Sequence, residues 1–186
     1  MRINHILPRS QANGPGIRFT LWTQGCNTHC AGCSNKDTWD PKGGTEISCE
    51  SLRKKIIDVF NGDLSQNYSG ITITGGEPLD QVKEIYKLCH DLRFYLKENQ
   101  TIFLTTGYTL DEIRKRGMLE ILDIVDILCT GPFEQDKTCS GEWKGSSNQK
   151  IHFLSSAGYE QLQMPIIFKE IYVKKNGDSM ITGFSQ

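Results

Sequence analysis

Arg18-Phe-Thr-Leu-Trp-Thr-Gln-Gly-Cys-Asn-Thr-His-Cys-Ala-Gly-Cys33 decides how this chain folds. Its first half is rich in aromatic and β-branched residues and stops at Gly25, the pattern of a β-strand. Three cysteines in C-x-x-x-C-x-x-C spacing therefore open just beyond a strand's C-terminal end. The same arrangement returns at Ile71-Thr-Ile-Thr74, a short strand ended by Gly75-Gly76-Glu77-Pro78. Between the two, Leu52, Ile56, Val59 and Phe60 recur at helical spacing over Cys49 to Phe60, with Ser48 as N-cap. Further on, Asp80 to Tyr95 reads as a helix and Thr101 to Thr105 as a strand. A helix from Leu110 to about Arg116 and a strand from Ile124 to Cys129 follow. Ile151 to Leu154, Ile166 to Val173 and Ser179 to Thr182 read as closing strands, and Phe133 to Gln149 as a long polar loop.

Strand and helix in alternation imply an α/β protein with a parallel sheet and helical crossovers. Loops at the C-terminal ends of such strands converge, which is where active sites form. A full eight-fold barrel takes about 250 residues. A chain of 186 residues predicts a single domain, residues 1–186, forming a partial, open (β/α) barrel.

The formal net charge is −1, so no basic footprint points to nucleic acid. No apolar run reaches the ~18 to 20 residues of a membrane span. Met1 to Ser10 has no apolar core of a secretory signal, and seven cysteines, an odd number, do not suggest a disulfide framework. These features predict thiols kept reduced in the cytoplasm.

Cys26, Cys30 and Cys33 can hold three corners of a four-iron, four-sulfur cube, leaving the fourth iron open for chemistry. A structural zinc site is the competing reading. It needs a fourth ligand, either His29, which immediately precedes Cys30 and would wrap the tetrahedron tightly, or the remote Cys49. Gly75 and Gly76 lack Cβ atoms and let backbone approach a small zwitterion, with Glu77 supporting it directly or by fixing the loop. Pro78 restricts how the next helix starts. A plain strand-to-helix turn favours the same residues. Cys49, Cys89 and Cys129 read as small buried hydrophobes, Cys139 as a loop thiol, and His5, His90 and His152 as structural.

The cysteine triplet and the Gly-Gly-Glu-Pro turn together resemble the radical S-adenosylmethionine superfamily. That resemblance implies a [4Fe-4S] cluster on the three cysteines, with S-adenosyl-L-methionine chelating the open iron. Gly32, Cys33 and Ser34 are then the segment against the nucleoside; Gly32 stands where many members carry an aromatic residue. Thr105 and Thr106 either bond the ribose or carboxylate or are ordinary strand threonines. More narrowly, Asn13-Gly-Pro-Gly-Ile-Arg-Phe-Thr20, Asn35-x-x-Thr38-Trp39-Asp40, Thr106-Gly-Tyr-Thr-Leu110, Gly131-Pro-Phe133 and Trp143-Lys-Gly-Ser-Ser-Asn-Gln149 resemble glycyl-radical-enzyme activases. The last of these segments is the most discriminating, and it points to the branch that serves anaerobic ribonucleoside-triphosphate reductase. The implied partner is that reductase, with an electron donor such as flavodoxin, and Lys144 and Asn148 are candidates for contacting or positioning the partner. Asn13 and Thr130 stand where aspartate is common in such activases, and each removes a negative charge.

Overall fold

The computed structural model describes residues 1–62, 67–139, 142–173 and 177–183. The chain runs β1 (Arg2–Ser10), β2 (Ile17–Thr23), the short β3 (Thr45–Glu46) and α1 (Cys49–Gly62). It continues through β4 (Tyr68–Gly75), α2 (Val82–Arg93), β5 (Thr101–Thr105), α3 (Leu110–Lys115), β6 (Ile127–Thr130) and β7 (Lys150–Phe153). It closes with α4 (Ser156–Glu160), β8 (Glu170–Val173) and β9 (Ser179–Thr182). Seven strands form one sheet in the order β3-β1-β2-β4-β5-β6-β7, and β8 and β9 form a separate pair. The four central strands β2, β4, β5 and β6 are parallel; β1 and β7 flank them antiparallel. Among the described residues no helix is long and apolar enough to cross a membrane.

Period-two alternation sorts the two faces of the parallel strands. Phe19 and Leu21, Ile71 and Ile73, Ile102 and Leu104, and Leu128 all face the helices. There they pack with Leu52 and Ile56 of α1 and Ile85, Leu88 and Leu92 of α2. Burying each such side chain stabilises by roughly 1.5–3 kcal/mol. The opposite face carries Arg18, Trp22, Thr72, Thr74, Thr105 and Cys129, and this face belongs to the site.

Several sequence-based boundaries move. Pro78–Gln81 forms a separate 3₁₀ turn before α2, since Pro78 suits only a helix's first position. The strand predicted from Ile124 begins at Ile127, because residues 119–123 form a 3₁₀ turn that carries through to Ile124. Of Ile166 to Val173 only the last four residues are extended in a ladder. Strand β1 was not predicted. Pro8 interrupts its pattern, and the register with β2 shifts between Leu7 and Ser10 to accommodate a residue without an N–H. Ser48 does cap α1, its Oγ accepting from Ser51 N at 3.1 Å.

The N-terminal floor of the parallel strands is built around Arg18, which is fully buried. Its Nε donates to Thr72 Oγ1 (2.8 Å), Nη1 to Pro15 O (3.2 Å) and Gln161 Oε1 (3.1 Å), and Nη2 to Ile71 O (2.5 Å) and Thr101 O (2.9 Å). Replacing Arg18 with Met strands several buried acceptors at once, each costing about 1–3 kcal/mol. Urea denaturation of Arg18→Met should therefore show a loss of at least ~3 kcal/mol; a variant within 1 kcal/mol of wild type would contradict this account.

Candidate active site

The concave face of the parallel strands closes over a cavity of about 260 Å³. Its walls come from five places. Trp22, Thr72, Thr74, Thr105 and Cys129 rise from the strands. Cys26, Cys30, Cys33 and Ser34 come from the loop after β2, and Gly75, Gly76 and Glu77 from the turn after β4. Phe133, Lys144 and Gln149 come from the loop between β6 and β7, and Ile181, Thr182 and Gly183 from the end of β9.

The cysteine loop is shaped by backbone bonds rather than by its own secondary structure. Gly25 turns the chain with φ 98°. Gly25 N donates to Thr38 O (2.7 Å) and Cys26 N to Trp39 O (3.2 Å), closing the loop on itself. Gln24 Nε2 holds the returning segment through Asp40 O at 2.7 Å. His29, at φ 47°, turns away from a ligand role and stacks on Trp39 with ring centroids 4.5 Å apart. All seven thiols are free, and the three of the motif are half-buried on one cavity wall. Burial pushes the Cys30 thiol up, and its neighbours Cys33 and Cys26 push in the same direction. Asn35 N donates to Cys33 Sγ at 3.4 Å, a bond of the kind that tunes sulfur ligands. Among the described residues no three His, Cys, Asp or Glu side chains converge as ligands of one ion. Three half-buried thiols lining one cavity are the donor set that three irons of a cluster would take.

The Gly75-Gly76-Glu77 turn locks the cysteine loop to the sheet. A Cβ on Gly75 would lie 2.6 Å from Thr23 N, and one on Gly76 would press into Gly25 O. Gly76 N donates to Thr23 O (2.9 Å) and Glu77 N to Gly25 O (2.8 Å). The glycines are thus required for protein backbone to meet protein backbone, a need that motif reading did not supply. Glu77 is 1% exposed. Its Oε1 accepts from Leu79 N (2.9 Å) and Thr106 Oγ1 (2.7 Å), and its Oε2 from Gly107 N (2.7 Å). It fixes the ends of β4 and β5 to each other. Thr106 is also engaged as acceptor from Tyr108 N, and Thr105 Oγ1 donates to Thr74 Oγ1 at 2.8 Å.

Of the residues singled out in the sequence, Gly32, Pro78 and Asn148 do not line the cavity. Gly32, at φ 71°, lies under the side chain of Gln135, which a Cβ would meet at 2.6 Å. Asn148 Nδ2 donates to Pro132 O (2.8 Å), and Gln149 bonds Gly145 N, Ser146 N and Gly131 O. These bonds fold the loop between β6 and β7 onto itself; its residues 140 and 141 lie outside the described residues. Lys144 reaches the cavity, paired with Glu142 at 2.6 Å. Trp22, Thr72, Thr74 and Cys129 were missed, although alternation within their strands marks them as the non-helical face.

Similarity to a known family places the chain among iron–sulfur proteins. The model of a 4Fe-4S single cluster domain matches residues 12–152. The anaerobic ribonucleoside-triphosphate reductase-activating protein of Escherichia coli K12 is 37% identical over 157 residues, 83% of this chain and 99% of that protein. Its counterpart from Enterobacteria phage T4 is 32% identical over 154 residues, 81% of this chain and 93% of that protein. The pyruvate formate-lyase-activating enzyme of Clostridium pasteurianum is 36% identical over 129 residues, covering 66% of this chain and 52% of that enzyme. The chain belongs to the family of anaerobic ribonucleoside-triphosphate reductase-activating proteins, radical S-adenosylmethionine oxidoreductases that activate glycyl radical enzymes.

Burial pushes the Glu77 carboxyl up from 4.5 to about 7, against the pull of its three hydrogen bonds. The native state then holds a proton that the unfolded chain has already lost. Stability from the protonated form is complete below pH 4.5 and is lost as pH rises through about 7. Denaturation of wild type and Glu77→Gln across this range should show the wild-type advantage shrinking with rising pH; a constant or growing difference would refute the raised pKa.

Proposed function

We propose that this protein makes the glycyl radical of an anaerobic ribonucleoside-triphosphate reductase by radical S-adenosylmethionine chemistry. What carries the reading is that Cys26, Cys30 and Cys33, all free, face the same cavity as the Gly75-Gly76-Glu77 turn. The strands and crossovers fit a partial, open barrel formed by one domain, residues 1–186. Cys26, Cys30 and Cys33 would hold a [4Fe-4S] cluster, leaving one iron without a protein ligand. When bound, the cluster would supply the electron for reductive cleavage of S-adenosyl-L-methionine, the chemistry by which one hydrogen atom would be taken from a glycine Cα of the partner.

This chain's residues position and shield that chemistry. Gly75 and Gly76 present backbone at the cavity, and Glu77 and Thr106 hold that backbone rigid. Ser34 and the hydroxyl of Thr105 offer polar contacts to the nucleoside side. The Gln135 side chain over Gly32 takes the place an aromatic residue would fill. Trp22 and Phe133 wall the cavity against water. Lys144 supplies the cavity's cation for a carboxylate or for the partner. The electron donor would be a low-potential protein such as flavodoxin, and the odd number of cysteines supports a reducing compartment, the cytoplasm.

The test is anaerobic reconstitution with iron and sulfide, then reduction, S-adenosyl-L-methionine, and assay of 5′-deoxyadenosine with and without the reductase. Wild type should release 5′-deoxyadenosine and raise a glycyl doublet in the electron paramagnetic resonance spectrum of the reductase, and Cys30→Ala should do neither. 5′-Deoxyadenosine without the doublet would move the reaction to another glycyl radical enzyme, a peptide or a small heterocycle. Zinc without iron or sulfide in the purified protein would make it a binding module instead.

A further inference from the structure

Strands β8 and β9 lie beyond residue 152, where the matched family segment ends. Their side chains are distributed the wrong way round for a surface hairpin. The face turned to the protein carries Glu170, Tyr172 and Thr182 beside the half-buried Met180, and is firmly bonded. Glu170 Oε2 accepts from Ser10 Oγ (2.6 Å), Gln11 N (2.9 Å) and Ala12 N (3.1 Å), Tyr172 Oη donates to Arg9 O (2.6 Å), and Asn13 Nδ2 donates to Thr182 Oγ1 (2.9 Å). The outward face is apolar: Ile171 and Val173 are 62% and 72% exposed, and Ile181, paired directly with Ile171, is 59% exposed. Three exposed aliphatic side chains gathered with Ser179 on one outward face mark a surface with a partner.

The position of β9 says which partner. Successive side chains of a strand point to opposite faces, yet Ile181, Thr182 and Gly183 all border the cavity. The cavity therefore meets β9 edge-on at its C-terminal end. Among the described residues β9 pairs only with β8, so its other edge has no strand beside it. That edge reads Ser-Met-Ile-Thr, with none of the charges or prolines that usually block strand addition. Ile181 joins the apolar face to the cavity mouth, making them one continuous surface.

We propose that this hairpin receives the glycine-bearing segment of the partner enzyme. The segment enters as an extended strand, pairs along the free edge of β9, and sets its side chains beside Ile181, which Ile171 backs from β8. Strand addition of this kind takes affinity from main-chain hydrogen bonds and selectivity from alternate side chains. It also delivers one backbone Cα into the cavity, where the proposed hydrogen abstraction needs it. The inference rests on the activase reading above.

The probe is a labelled synthetic peptide spanning the radical-bearing glycine of the anaerobic reductase from the same organism, its binding read by fluorescence anisotropy. Wild-type protein should bind it. An Ile181→Asp variant should bind at least tenfold more weakly, with its near-ultraviolet circular dichroism unchanged. Of two peptides N-methylated at alternate backbone nitrogens in opposite phases, one should lose affinity for wild type to a similar degree and the other should not, and this arm stands if the variant does not fold. No binding to wild type, full affinity in the folded variant, or full affinity for both methylated peptides would overturn the proposal. Peptide binding requires no turnover, so failure of wild type to release 5′-deoxyadenosine would count against the activase reading separately.

Discussion

A buried guanidinium governs the geometry of the concave face. Arg18 carries five N–H donors and no acceptor, and its fork is rigid. Once its strand turns it inward, five carbonyl or hydroxyl oxygens must gather around it. Two come from the main chain of β4 and β5 at Ile71 and Thr101, one from Thr72, and the remaining two from Pro15 and Gln161. The requirement draws in two segments that no regular element would bring there, the Asn13–Gly16 loop and the turn after α4. Gly14, at φ 131°, shows how closely they fit, since a Cβ there would lie 2.8 Å from both Arg18 Cδ and Phe103. Burial lowers the Arg18 pKa to about 9, with Asp126 opposing the shift, so the group still carries its charge at neutral pH.

From that floor the site rises by a second set of constraints at the strands' other end. Gly25 and Gly76 bring the backbones after β2 and β4 into contact, and Glu77 extends the tie to β5 through Thr106 and Gly107. Tyr108 carries it outward: its hydroxyl donates to Asp80, which accepts in turn from Asn27, the residue after the first motif cysteine. The cysteine loop has almost no regular structure of its own, so its shape is inherited from these ties. A carboxylate kept in so dry a place has a cost, visible as the raised Glu77 pKa, and three donors offset it only in part.

What could be read from the sequence followed from local rules. The parallel strands, the two long helices and the two chemical motifs at strand ends each depend on alternation, helical spacing or short-range turn chemistry. Strand β1 escaped because Pro8 breaks its alternation, and only the shifted register with β2 shows how the sheet absorbs it. The loop between β6 and β7 read as plain polar chain, although Asn148 and Gln149 organise it by bonding Pro132 and Gly131 on its far side. Polar composition cannot tell a solvated loop from one closed by its own amides. The same limit applied to Gly32, whose neighbour Gln135 is distant in the chain and carries no motif. For the site, the cysteines, the glycine turn and Lys144 were legible; its far wall was not, because β9 contributes through backbone position rather than residue type.

Asn13, where the resemblance to activases implied aspartate, has a physical role at that far wall. Asn13 Nδ2 donates to Ser10 Oγ at 2.8 Å and to Thr182 Oγ1 at 2.9 Å, and Asn13 Oδ1 accepts from Thr182 Oγ1 at 3.2 Å. Ser10 Oγ is itself the donor to Glu170. An aspartate at position 13 would have no hydrogen to give Ser10 and would set a second carboxylate beside Glu170, a repulsion that burial strengthens. The amide and the hairpin's carboxylate are therefore complementary. Glu170 of β8 sets a negative charge against the β1–β2 loop, where three donors hold it. Closing the cavity with this hairpin therefore calls for a neutral donor at position 13, and Asn13 and the segment beyond residue 152 are parts of one arrangement.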